Sequence, residues 1–270
     1  MQGRLTFLGS GTSMGVPTLG CGCAVCTSAD PHDKRLRPSV SIRWTGAEDR
    51  ERIVIVDTGP DFRQQALRYG IDRVDAVLYT HAHADHILGM DDLRPLSYAA
   101  FRAGGPIPLY VDPETAVTLE RIYDYTFAPG ATYPNRARVE LRPLADRLRI
   151  QELECIRIPV RHGSQGISGF RFGDAAYLTD VSFIPESSFD LLRNLETLVL
   201  PSLRHAPHPS HANVEQAVAW AERIGARRTW LTHIAHELGH AETNRMLPPG
   251  VAMAYDGLEI AVNLSGAIQE

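Results

Sequence analysis

Short β-branched runs recur along the chain, each closed by Gly, Pro or Asp: Leu5–Leu8, Val40–Trp44, Ile53–Val56, Ala76–Tyr79, Leu109–Val111, Ile156–Val160, Ala175–Leu178, Thr197–Leu200, Thr229–Leu231 and Leu258–Val262. Runs of this length and composition predict strands. Amphipathic helical patterns lie between some of them, at Asp61–Tyr69, Pro113–Tyr125, Pro185–Arg193 and Asn213–Ile224. The first three carry Pro or Asp near the expected N-terminus, where a missing N–H or a capping carboxylate suits the first turn. The order is strand-rich in the first half, helix-bearing at roughly 88–127, and alternating in the second half. No Ser/Gly linker or charge block divides the halves, so the pattern predicts one domain over 1–270, α/β (α+β) in class, with two packed sheets and helices outside.

Composition narrows the reading. With 270 residues, 44% hydrophobic and 22% charged, the chain is long enough to bury about three-quarters of its unfolded surface without help from disulfides. The net charge of −5 argues against a protein held by nucleic acid, and no apolar stretch is long enough to span a bilayer. The segment Met1–Leu8 lacks the charged and apolar regions of a secretion signal, which makes the cytoplasm the expected compartment. Oligomeric state is not legible, and a homodimer stands as a candidate.

Two anomalies remain, the clustering of histidines and of cysteines. Thr80-His81-Ala82-His83-Ala84-Asp85-His86 directly follows the run Ala76–Tyr79, at a strand's C-terminal end where side chains can converge on a site. Three imidazoles and a carboxylate so close together suit borderline metals such as Zn, Mn, Fe or Co, against the plainer alternative of a polar surface loop. His162, Asp180 and His233 follow the ends of later strands in the same way. Alone, each would be an ordinary polar residue. Together with the first four they make seven donors, too many for one tetrahedral ion and suited to two ions bridged by a carboxylate. Cys21, Cys23 and Cys26 offer three thiolates, one short of a closed zinc site. Cys155 stands alone in a predicted strand and reads as a buried thiol.

The HxHxDH motif at 81–86, with the later His, Asp and His in order, resembles the metallo-β-lactamase superfamily of binuclear hydrolases over nearly the whole chain. The resemblance implies an αββα sandwich with the site at one edge of the sheets. It implies that His81, His83 and His162 hold one divalent metal, that Asp85, His86 and His233 hold the other, and that Asp180 bridges. Mn and Zn are the expected metals, with Fe as an alternative. Asp57, in Val56-Asp57-Thr58-Gly59, is similar to the family's first motif, whose Asp supports the ligand loop. Gly11–Pro17, the CxCxxC cluster and Thr232–His236 resemble one branch, that of the phosphodiesterase of the bacterial carbon–phosphorus lyase pathway, related more distantly to tRNA 3′-processing endonucleases. By that resemblance Cys21, Cys23, Cys26 and His236 hold a structural zinc, and His211 contacts the phosphate or acts as an acid.

The reaction so implied is hydrolysis of a phosphodiester by metal-activated water, with His211 protonating the departing alkoxide. The acidic charge favours a small substrate, such as a cyclic nucleotide or cyclic ribose phosphate, over a stable nucleic-acid complex, although basic clusters at Lys34–Arg37 and Arg136–Arg149 weaken that argument. A thioesterase or lactonase on the same metals, an RNA-processing nuclease and a non-catalytic metal or nucleotide sensor are the alternatives. The Gly9–Gly15 stretch has the wrong spacing for a dinucleotide loop and reads as a tight turn beside the site. His205 and His208 read as a solvated loop, and Asp256 as a turn before the last strand.

Overall fold

The computed structural model describes residues 1–130 and 133–265. Residues 131–132 and 266–270 of the expected 1–270 domain lie outside the described residues. The first sheet is built from β1 (Gln2–Gly9), β2 (Ser39–Thr45), β3 (Glu51–Val56), β4 (Ala76–Leu78), β5 (Ile107–Val111) and β6 (Val139–Pro143). The second takes β7 (Arg147–Ile150), β8 (Leu153–His162), β9 (Gln165–Phe172), β10 (Ala175–Tyr177), β11 (Thr197–Pro201), β12 (Arg228–Thr232) and β13 (Val251–Met253). The last strand, β14 (Glu259–Asn263), returns to pair with β1. The orders are β14-β1-β2-β3-β4-β5-β6 and β13-β12-β11-β10-β9-β8-β7.

Alternation along the strands explains why the two sheets stack and why helices cover them. Val54 and Val56, Ala76 and Leu78, Ala175 and Tyr177, and Val199 point into one core between the sheets, joined there by Phe170, Phe172 and Cys155. The residues between them, Ile53, Ile55, Val77 and Tyr79, form a second core under α1 (Phe62–Arg68), α3 (Arg94–Ala103) and α4 (Pro113–Ile122). Ala176, Leu178, Leu198 and Leu200 form a third with α7 (Val214–Ile224). Strands buried on both faces must be apolar at nearly every position, which is why they read as unbroken runs. The result is the expected α+β sandwich of helices, two sheets and helices. Among the described residues no helix is long and apolar enough to cross a membrane.

Several elements differ from the sequence reading. Val139–Pro143 and Arg147–Ile150 are sheet-edge strands whose mostly exposed, arginine-containing positions gave no apolar run. Gln165–Phe172 was hidden by Gly166 and Gly169; a side chain at Gly169 would press on Leu178 at 2.9 Å. The helical pattern at Pro113–Tyr125 breaks at Tyr123 into α4 and α5 (Asp124–Phe127), and that at Pro185–Arg193 shrinks to α6 (Glu186–Phe189) followed by a 3-10 turn. His240–Met246 adds a helix, α8, that the periodicity did not reveal.

Candidate metal centre

Strands β3 to β6 are mutually parallel, as are β10 to β13, so their C-terminal ends share one edge of each sheet and deliver their loops together. Asp57, Asp180 and His233 each stand just beyond such an end with left-handed backbone, φ 63°, 60° and 56°. Non-glycine residues seldom adopt this conformation, and its recurrence at three strand ends marks a place where surrounding structure forces the chain aside. The HxHxDH loop leads into a one-turn helix, α2 (Ala84–Ile87). Two close backbone approaches hold it: an added Cβ at Gly59 would sit 2.0 Å from the Asp85 carbonyl, and one at Gly89 2.0 Å from that of Gly59.

Three groups of donor atoms result, each with its atoms within 4.8 Å of one another: His81, His83 and His162; Asp85, His86, Asp180 and His233; and His162, Asp180 and His211. Asp180 is common to the second and third, and His162 to the first and third, so these two residues link the clusters. Asp180 Oδ1 lies 2.9 Å from His233 Nε2, its Oδ2 3.2 Å from His86 Nε2. All seven donors expected from the sequence converge, and His211 lies against them, its ring centroid 4.5 Å from that of His162 and 4.8 Å from that of His233. His205 pairs with Glu215 at the surface instead.

The surroundings set which ring nitrogen faces inward. Asp57, fully buried, accepts from the Thr80 N–H at Oδ1 and from the Thr80 hydroxyl and His86 Nδ1–H at Oδ2, at 2.8, 2.8 and 2.7 Å. With its O–H directed at Asp57, the Thr80 hydroxyl accepts from His81 Nδ1–H at 3.0 Å, and His162 Nδ1–H donates to the Ser210 carbonyl at 2.6 Å. Three imidazoles thus keep Nε2 free, the arrangement that metal-binding histidines require. His81 Nε2, His86 Nε2, His233 Nε2 and Asp85 Oδ2 are buried without a hydrogen-bond partner. Such atoms are costly to bury unless something bonds them, and the donor set fits divalent transition metals.

The buried carboxyls and imidazoles of the site shift one another's titration. Burial acts to raise Asp180 and Asp85, but the imidazoles of His233 and His86 outweigh it and hold both carboxyls well below the usual range. Conversely, burial acts to lower His86 and His233, yet Asp85, Asp180 and Asp57 push His86 well up, and Asp180 carries His233 up to about 9. Burial, aided by His233, holds His211 down to about 3, and burial with His86 keeps His81 well below its ordinary value.

The cysteine cluster closes with the residue expected. Cys21, Cys23, Cys26 and His236 gather within 4.8 Å, with His236 Nδ1 3.4 Å from Cys21 Sγ and 3.3 Å from Cys23 Sγ. His236 and the N–H of Cys26 bring the Cys23 thiol down to about 6, as a thiolate ligand needs. Only two residues separate His236 from His233, so the two clusters share one loop. Arg35, wholly buried and paired with Asp33 at 2.9 Å, donates to the Ala235 and Leu238 carbonyls. Ile234 exchanges backbone hydrogen bonds with Ser10 and Thr12, so the glycine-rich turn is the brace beneath His233. Asp256 is more than a turn: half-buried, it accepts from the Ser10 N–H and hydroxyl and from the Leu36 N–H. Sequence reasoning did not find Arg35, Asp33 or Asp256, because an Arg beside Lys34 and an Asp before Gly257 look like surface residues until their partners are seen.

A family model described as a beta-lactamase superfamily domain matches residues 52–234, and the chain belongs to that superfamily, as a metal-dependent hydrolase. Within it, the chain is similar to a solved structure described as a new diphosphatase from the PhnP family, at 48% identity over 98% of each chain and a TM-score of 0.91. It is also 36% identical over 267 residues to an octanoyltransferase of Porphyromonas gingivalis, covering 97% of this chain and 52% of that protein. The chain spans about half the length of the curated relatives it matches. The short form of human tRNase Z shares the fold, with a TM-score of 0.66 at 18% identity over 97% of this chain and 99% of that one.

Proposed function

We propose that residues 1–270 act as one metallo-hydrolase domain, a binuclear phosphodiesterase of small phosphodiesters, with cyclic nucleotides or cyclic ribose phosphates favoured. The observation that carries this reading is Asp180, shared between donor groups, with His211 packed beside it. In this proposal His81, His83 and His162 hold one metal, Asp85, His86 and His233 the other, and Asp180 both. When bound, two divalent ions such as Mn, Zn or Fe supply Lewis acidity toward phosphoryl oxygens and an acidified water. Cys21, Cys23, Cys26 and His236 hold a structural zinc. Asp57 keeps the Nε2 of His86 available through its bond to Nδ1–H.

His211 is neutral before substrate arrives, because burial depresses its protonated form. A phosphate anion brought against the ring favours uptake of a proton from solvent, and the protonated ring then donates that proton to the departing alkoxide. The proposal includes a small-molecule partner and a cytoplasmic setting, without a stable nucleic-acid complex. The name of the PhnP-family neighbour favours a second reading in the same class, cleavage of small diphosphates. There the leaving group is a phosphate, which departs with less need of a proton.

The test is a substrate panel run on the parent and His211→Ala, each loaded with metal. On a diester with an alkoxide leaving group the variant should lose about 10²–10⁴-fold in kcat, and distinctly less on a p-nitrophenyl diester. Equal losses on both make His211 a phosphate contact alone; no loss removes it from the reaction. An octanoyl thioester belongs in the panel, and preferred turnover of it would replace the phosphodiesterase reading with the thioesterase one.

A further inference from the structure

A cavity of about 870 Å³ lies at the opposite edge of the first sheet from the metal centre. Its walls come from the start of β3, the 72–75 turn before β4, the second half of α3 with the glycine turn after it, the start of β5, Arg142 of β6, and the turn between β7 and β8. Arg52 and Asp57 are separated by most of the length of β3, about 16 Å. The cavity is therefore a place of its own, and the proposed hydrolysis makes no use of it.

Its chemistry contrasts with the rest of the chain. Among the described residues it is lined by five arginines, Arg50, Arg52, Arg73, Arg142 and Arg149, against two aspartates, in a protein whose net charge is −5. Arg52 is tied to Asp75 at 2.9 Å, yet its Nε is buried without a hydrogen-bond partner. Among the described residues no carboxylate lies within salt-bridge distance of Arg149, and Arg73 meets only the exposed Asp72. Arg142 pairs with Glu140 at 2.7 Å, so the unneutralised excess rests on Arg50 and Arg149, and an anion entering the cavity would meet these two guanidinium groups beside three paired ones. The remaining wall is apolar: Leu96, Ala99, Ala100 and Ala103 from α3, with Ile107 and Val74. The carbonyl end of α3 also borders the cavity and repels anions, which leaves this side to the uncharged body of a ligand.

We propose that this cavity binds a nucleotide, its phosphate held by the guanidinium groups and its flat base against the α3 wall. Guanidinium is the side-chain group best matched to phosphate, through paired N–H donors, and the volume falls in the range of small-molecule sites. The arginine clusters that the sequence reading set against a small substrate thus serve, in part, a small ligand too, since Arg142 and Arg149 come from the 136–149 stretch.

The test is calorimetric titration of the metal-loaded full chain with AMP, a monoester that offers no diester or anhydride to cleave, with inorganic phosphate and adenosine as separate arms. Saturable AMP binding is expected that weakens as salt rises, is weaker for phosphate alone and is absent for adenosine. Arg73→Glu/Arg149→Glu, two changes at solvent-accessible positions, should weaken AMP by roughly 100-fold while kcat/KM of the metal centre stays at the parent value. His211→Ala should bind AMP as the parent does. An unaltered affinity in the double arginine variant, or loss in His211→Ala alone, places AMP in the metal centre and overturns the proposal, as does the absence of saturation. Phosphate binding as tightly as AMP overturns the nucleotide assignment. The proposed phosphodiesterase activity is measured separately and fails or stands without regard to these results.

Discussion

Replacing Asp57 by Asn tests whether the metal centre depends on the tautomers that its neighbours impose. Asn tolerates the left-handed backbone at this position, so the chain trace should survive. The amide cannot reproduce the carboxylate's pattern. Its oxygen must face the Thr80 N–H, which can only donate, and its NH2 then meets His86 Nδ1–H, a second donor at about the present 2.7 Å, while the Thr80 hydroxyl must turn from donating to accepting. If His86 escapes by moving its proton to Nε2, that nitrogen, 3.2 Å from Asp85 and Asp180, no longer accepts a metal. If it does not, two buried donors face each other with both side chains fully excluded from water. Loss of such outer support typically costs 10–100-fold in metal affinity, and burial argues for the upper end, about 2.8 kcal/mol. Chelator competition against Asp57→Asn and the parent measures it directly, with circular dichroism to show the variant folded. A folded variant with the parent's metal affinity and kcat/KM would refute the reasoning.

Metal content should be three ions per chain by elemental analysis, and Cys23→Ser or His236→Ala should lose one zinc and melt at lower temperature while the other two ions remain. Gly59→Ala drives a Cβ onto the Asp85 carbonyl at 2.0 Å and should cost about 1–3 kcal/mol in urea unfolding, with metal affinity falling alongside. Burial outweighs the three donors at Asp256 and pushes its carboxyl up to about 6 from an ordinary 3.8, so the folded state holds this proton more tightly than the unfolded chain. Its contribution is present in acid and lost as pH rises through about 6; between pH 7 and pH 5 the parent should gain about 1.4 kcal/mol relative to Asp256→Asn, by denaturant titration at both values.

What the sequence determined by itself was whatever is local in the chain. Strands buried on both faces announce themselves as apolar runs because neither face can carry a polar residue, and the HxHxDH loop puts four donors within six residues. Strands with half-exposed or glycine-containing positions, β6, β7 and β9, left no such trace, since their pairing is made by backbone groups and needs no apolar run: β7 and β9 pair with the adjacent β8 across tight hairpins, and β6 with β5. His162, Asp180, His211 and His233 are common residue types in separate segments; they could be selected by family resemblance, but only the folded sheets and the loop before α7 bring their atoms within 4.8 Å of one another in groups. The same holds for the brace of Arg35 with Asp33, for Asp256 under the glycine-rich turn, and for the arginine cavity, none of which has a local signature. Burial and partnership are properties of the tertiary fold, and they decide whether a charged residue solvates a surface or organises a site.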